Sequence, residues 1–229
     1  MKLNFIITRL QAQIEKEQEN FEHSYSTLTD DTKVWCMIDL VGSSNYRLLN
    51  GPKLGYVRGE TFFSLIKNVI KSDTEVRLIK EIGDAVLLAS NGIRPILESL
   101  ILINQIALNL EKTKPKEYYP FQIKSGISFG VSKRLIRQNE DFLGSSIDML
   151  ARIMNVKSSN SRFFIQEEAY SHFKNVIKEY DTFLKISEVK KMSQDQTKDM
   201  LKSVLYREVN IDLEELLKFN DHFVKWKKN

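Results

Sequence analysis

Hydrophobic and polar positions alternate along this chain with two different periods. Val34-Trp35-Cys36-Met37-Ile38 is an unbroken apolar run that meets Asp39 and is followed at once by Gly42-Ser43-Ser44. A strand covered on both faces reads as such a run, and a Gly/Ser turn stops it. The pattern therefore predicts a buried strand over 34–39 with Asp39 at the mouth of the core. Residues 75–82 and 85–89 read as a hairpin with Gly83-Asp84 at its turn. The stretch 121–131 alternates, with Phe121, Ile123, Ile127, Phe129 and Val131 on one face. Gly126 and Gly130 in that strand imply a close approach by another backbone or a ligand. Shorter strands are expected at 162–165, 183–189 and 204–209.

Helical spacing marks the remaining segments. From Asn4 to about Phe21 the apolar residues Phe5, Ile6, Leu10 and Ile14 form one stripe, an amphipathic helix for packing against the domain or against a second copy. A loop containing Asn50-Gly51-Pro52 leads into a helix with Phe62, Phe63, Ile66, Val69 and Ile70 inward, closed by Ser72-Asp73-Thr74. Another helix runs from Arg94 to about Leu110. Gly144 opens one to about Val156, with Ile147, Leu150, Ala151 and Met154 inward and Asp148 and Arg152 together on a neighbouring face. Helices from Gln166 to Phe173 and from Leu213 onward complete the pattern, and 193–197 reads as a loop. The expected fold class is α/β (α+β), with helices over a mainly antiparallel sheet. The order strand, helix, hairpin, helix, strand is that of a ferredoxin-like palm. The expected division is a terminal helix in 1–30, a catalytic domain in 31–210 and a last helix in 211–229.

Composition narrows the function classes. With 229 residues the chain can bury a sizeable core. The 34 Lys and Arg against 30 Asp and Glu suit an anionic small ligand, and the basic excess is too slight to indicate nucleic acid. The single cysteine, Cys36, lies inside the first strand and reads as a small buried hydrophobe, so no intrachain disulfide can form. The apolar run at 1–9 is too short for a signal peptide. Residues 96–110 are interrupted by Glu98, Ser99, Asn104 and Gln105 and fall short of a membrane span. The expectation is a cytoplasmic protein with no membrane partner.

Two carboxylates at neighbouring strand ends, beside a loop rich in N–H groups and hydroxyls, suit divalent cations and a polyphosphate. Taken singly, Asp39 is equally a turn cap and Asp84 an ordinary hairpin residue. Three blocks in order change that reading. Asp39-Leu40-Val41-Gly42-Ser43-Ser44, Lys80-Glu81-Ile82-Gly83-Asp84-Ala85 and Gly144 through Arg152 resemble the two metal motifs and the transition-state helix of the class III nucleotide cyclases.

That resemblance implies attack of a ribose 3′-oxygen on the α-phosphorus of the same nucleoside triphosphate, with pyrophosphate leaving. It implies two Mg²⁺ or Mn²⁺ ions roughly 4 Å apart, held by Asp39, Asp84 and the backbone carbonyl of Leu40. Gly42, Ser43 and Ser44 would donate to the phosphates. Arg152 would neutralise the α-phosphate, unless it is a solvated helix-face arginine paired with Asp148. Asp148 stands where most of the family has Asn, so it can accept from a ribose hydroxyl without donating. One of Lys190 and Lys191 would reach the triphosphate. Family members build each site between subunits, so a homodimer with two equivalent sites is implied.

Two signals bear on the base. Lys80 and Asp141 fall where adenylyl cyclases carry their adenine-selecting pair. The overall layout, including Gly55 to Phe63, is similar to the stand-alone bacterial pyrimidine cyclases of Pycsar anti-phage systems. There Tyr46 would stack on a single-ring base, unless it is a half-buried loop tyrosine. The resemblance favours UTP, then CTP, with a cyclic product sensed by a separate effector protein. An adenylate cyclase and a non-catalytic nucleotide-binding homologue are the alternatives.

Overall fold

The computed structural model describes residues 10–18, 28–113, 122–135, 141–156, 163–192, 204–212 and 215–216. Strand β1 (Asp30–Leu40) is followed by α2 (Ser43–Asn50), α3 (Pro52–Lys71), β2 (Val76–Ile82), β3 (Ala85–Ser90), α4 (Ile93–Thr113) and β4 (Ile123–Leu135). Then come β5 (Asp141–Leu143), α5 (Ser145–Ile153), β6 (Phe163–Gln166), α6 (Glu167–Lys178), β7 (Leu184–Ile186), β8 (Lys190–Lys191) and β9 (Leu205–Ile211). A helical segment at 10–18, α1, precedes them.

The sheet order is β2-β3-β1-β4-β6-β9-β7, with β5 on β4 and β8 on β9. Every pairing is antiparallel except β4 with β6. The first four strands and their two crossover helices form the expected ferredoxin-like palm.

Strand β1 distributes its side chains by parity. Val34, Cys36, Ile38 and Leu40 enter the main core with Phe62, Ile66, Ile96, Leu97 and Leu100 from α3 and α4. Trp35 faces the other way and packs with Leu87, Ala89, Phe142 and Leu150. Both faces of the strand are thus covered, which is why its sequence runs apolar without a break. Burial pushes the Cys36 thiol pKa up. Native protein is therefore expected to be inert to a thiol-specific chromogenic reagent at pH 8, with one equivalent reacting after denaturation. Rapid labelling of the folded chain would contradict the packing.

Several expectations need correction. The segment before Gly51, expected as loop, is helix α2. Val131 lies beyond the stretch of β4 that β6 pairs and is 51% exposed. Ala151 is exposed because α5 seats through Ser146, Leu150 and Ile153 instead. The strand expected at 183–189 is shortened to β7, with β8 a separate strand just beyond it, and α6 runs on to Lys178 across a kink at Phe173. Leu10 and Ile14 of α1 are 51% and 56% exposed, so over 10–18 the stripe does not pack on its own domain. Phe5, Ile6, Phe121, the 193–197 loop and most of the helix from Leu213 lie outside the described residues. Helix α4 contains the one stretch among the described residues long and apolar enough to cross a membrane, Ile93–Leu110, and it carries Ile96, Leu97, Leu100 and Ile103 fully buried in the core.

Candidate active site

Asp39 and Asp84 come together as the motif order suggests. Asp39 pairs with Ala85 across β1 and β3, and the Leu40 N–H donates to the Asp84 carbonyl at 3.3 Å. The Ser43 hydroxyl donates to the Asp84 carboxylate. Burial raises the Asp39 pKa, and the Asp84 charge raises it further, against the opposing pull of Lys124 and the Leu40 N–H. Two like charges are thus held close in a half-buried place. That arrangement fits a divalent cation, because only an added positive charge relieves both the repulsion and the lost hydration. Among the described residues no group of three or more His, Cys, Asp and Glu side chains converges as a metal site, so any such ion would draw on this pair and backbone carbonyls such as that of Leu40.

The phosphate side is stronger than a loop. Gly42, at φ 69°, takes the left-handed conformation that ends β1 and starts α2, and no side chain caps that helix. The Tyr46 N–H closes the first turn on the Gly42 carbonyl at 2.9 Å. The N–H groups of Ser43, Ser44 and Asn45 precede that bond and have no partner within the helix, which makes an anion-binding helix start.

Beneath it lies Arg58, which sequence reading passed over. It is the only charged side chain among the described residues that is buried, at 3% exposure. Arg58 donates from Nη2 to the Val41 carbonyl at 3.0 Å, and its Cζ sits 4.7 Å from the Tyr46 ring centroid. Burial lowers its pKa, while Tyr46 and Asp84 hold it up. The guanidinium thus props the loop that carries Gly42 and backs the half-buried ring of Tyr46. The available signal was its place on the α3 stripe, one helical turn before Phe62.

Helix α5 lies on the face of the sheet that carries Asp39. It can sit close because β4 presents Gly126, Ser128 and Gly130 on that face. A Cβ at Gly126 would meet Leu150 Cδ1 at 2.9 Å, and one at Gly130 would meet Ser146 Cβ at 3.2 Å. Ser128 Oγ donates to the Ser146 carbonyl at 2.8 Å. With Leu150 against the sheet, Arg152 lies about 200° further round the helix and Asp148 about 40° from Arg152. Both therefore point away from the sheet that holds Asp39; Asp148 is exposed and Arg152 half-buried.

Lys80 and Asp141 meet, with Nζ 2.5 Å from Oδ1. Two features bring this about. A register shift between Leu78 and Lys80 in the β2–β3 ladder turns Lys80 onto the α5 face, opposite Leu87, and sends Glu81 to Lys67 on the other side. The end of β4 carries β5 back over the sheet, where Phe142 packs on Trp35 at 5.0 Å between ring centroids. Lys190 is paired with Glu208 at 2.8 Å, and Lys191 is exposed. Their strand is four places from β1, about 19 Å at the usual strand spacing. Within one chain the candidate residues thus form a carboxylate half around Asp39 and Asp84, and a second set directed elsewhere.

No protein-family model matches the sequence, and no curated protein matches it significantly. Solved structures match its fold. An adenylate/guanylate cyclase/hydrolase from Silicibacter pomeroyi aligns with TM-score 0.64 and 15% identity, over 81% of this chain and all (100%) of that one. The guanylyl cyclase Cya2 aligns with TM-score 0.61 and 12% identity, over 80% and 94%. The adenylyl cyclase CyaB from P. aeruginosa aligns with TM-score 0.54 and 14% identity, over 80% and 96%. The chain has the class III nucleotide cyclase palm fold.

Proposed function

We propose that this protein is a nucleotide cyclase acting as a homodimer on a nucleoside triphosphate. The observation that carries the reading is the like-charged pair Asp39 and Asp84 beside the uncapped start of α2, on this fold. Asp39, Asp84 and the Leu40 carbonyl would hold Mn²⁺ or Mg²⁺, two ions per site, which when bound acidify the 3′-hydroxyl and neutralise the leaving oxygens. The N-terminal N–H groups of α2 bind the phosphates. The 3′-oxygen forms its bond to the α-phosphorus as the bond to the β-phosphate oxygen breaks, the hydroxyl proton passes to water, and pyrophosphate departs. Arg152 neutralises the α-phosphate and Asp148 accepts from the ribose. Because those two side chains point away from the sheet of their own chain, each site joins the carboxylates of one chain to the arginine helix of the other. Lys190 or Lys191 reaches the triphosphate from that second chain.

For the base we propose a pyrimidine, UTP ahead of CTP, with Tyr46 against the ring and Arg58 fixing it. The product would then be a cytoplasmic signal in anti-phage defence, read by a separate effector. The Lys80–Asp141 ion pair favours a second reading, ATP. Incubation of purified protein with Mn²⁺ and each of the four ribonucleoside triphosphates decides between them. Cyclic UMP with released pyrophosphate is the expected main product. Cyclic AMP as the main product would establish the second reading, and no product from any of the four would make the chain a nucleotide-binding homologue.

A further inference from the structure

We propose that Lys124 is a positioning residue shared by the two active sites of the dimer: it seats the arginine helix that serves one site and adds positive charge beside the metal-binding strand that serves the other. The inference rests on the subunit arrangement proposed above. Lys124 is directly opposite Asp39 in the β1–β4 register, so both side chains leave the same face of the sheet. Its ammonium reaches the end of α5, donating to the carbonyls of Met154 and, at 2.6 Å, Val156. These carbonyls follow the last residue of α5, at the negative end of the helix dipole, where a cation is favoured. The Phe164 ring lies 5.2 Å from the same ammonium. Burial lowers the Lys124 pKa and the charge of Asp39 opposes that, as expected of two groups side by side on one face.

One ammonium therefore stands opposite Asp39 in the register while it holds the end of α5 two residues beyond Arg152. In the dimer Asp39 and Arg152 of one chain belong to different sites, so Lys124 serves one site through its charge and the other through its hold on α5. Lys124 is a positioning residue and touches no substrate in this scheme.

Mixed dimers separate its two effects. A dimer of one Asp39→Asn chain and one Arg152→Ala chain has a single complete site, whose carboxylates come from the Arg152→Ala chain and whose arginine comes from the Asp39→Asn chain. Adding Lys124→Met to the Asp39→Asn chain is expected to lower turnover about tenfold without moving the Mn²⁺ half-saturation, from loss of a charge-assisted anchor. Adding it to the Arg152→Ala chain should instead lower the Mn²⁺ half-saturation by about tenfold, because a nearby positive charge is gone, and leave turnover nearly intact. Mn²⁺ titration of the Lys124→Met homodimer by electron paramagnetic resonance, with no nucleotide present, should show the same tightening.

Equal losses from either chain, or no change from either, would overturn this double role. If Lys124→Met does not fold, Lys124→Arg makes the same comparison: it keeps the charge beside Asp39, so only turnover should fall, and only from the Asp39→Asn chain. Should the mixed dimer with Lys124 intact be inactive, the shared-site reading fails first and this inference with it, a result distinguishable because it precedes any change at Lys124.

Discussion

Asp39→Asn is expected to raise the melting temperature of the metal-free protein while removing most of its response to Mn²⁺ and nearly all of its turnover. The Asp39 carboxyl is held above its ordinary range by burial first and by the Asp84 charge second. A carboxyl whose folded pKa is raised binds protons on folding, so its contribution to stability falls as pH rises through the folded value. Once Asp39 is ionised the wild-type chain carries that penalty and the asparagine does not. The gap between the two melting temperatures in EDTA should therefore widen as pH rises from the ordinary carboxylate value of 3.8 through the raised folded one. For wild type, Mn²⁺ at a hundred times its dissociation constant should add about 2.7 kcal/mol, or roughly 5–10 °C in a chain of this size. Asp39→Asn should lose most of that increment and at least about 10³ in turnover. A variant less stable than wild type in EDTA at pH 8, or one that keeps the Mn²⁺ increment, would mean that the carboxylates do not form a cation site.

The same residues show which parts of the molecule the one-dimensional pattern can carry. The run 34–38 and the Gly83-Asp84 turn are local signals, and they placed the two carboxylates at neighbouring strand ends. Gly126 and Gly130 announced the close seat of α5, since only a missing Cβ lets Leu150 and Ser146 come so near. Helix α2 was hidden because Gly42-Ser43-Ser44 and Asn50-Gly51-Pro52 are turn signals, and the left-handed Gly42 uses one to begin a helix. On α5 the inward Ile147, Leu150 and Met154 were legible, while Ala151 is exposed and Ser146, a polar residue, is what packs against Gly130. The shift that brings Lys80 to Asp141 leaves no local mark, as a bulge depends on how β2 meets β3. Arg58 and Lys124 are charged groups that hydropathy sends to the surface. Tertiary contacts draw them in, one to the Val41 carbonyl and the other to the end of α5. Pattern thus located the groups proposed to touch substrate, and three dimensions were needed to find those that hold them in place.

Arg152→Ala should lower kcat by about 10²–10³, equivalent to 2.7–4 kcal/mol for loss of one electrostatic donor to the transition state, and leave the Mn²⁺ thermal shift at its wild-type size. The drop should fall on kcat more than on KM, since the charge that Arg152 answers grows as the α-phosphorus is attacked. An arginine that merely covered the outer face of α5 would instead leave kcat unchanged. The sharper outcome comes from mixing this variant with Asp39→Asn. Each homodimer has two broken sites. A mixed dimer has one site with both defects and one with neither, because Arg152 points away from the sheet that bears its own Asp39. Free exchange of equal amounts makes half the dimers mixed, so about a quarter of all sites become complete and about a quarter of wild-type activity returns. A site built within a single chain gives no such recovery, since every chain in the mixture still lacks one essential group. Activity that stays at the level of the separate variants after exchange would place arginine and carboxylates in the same chain.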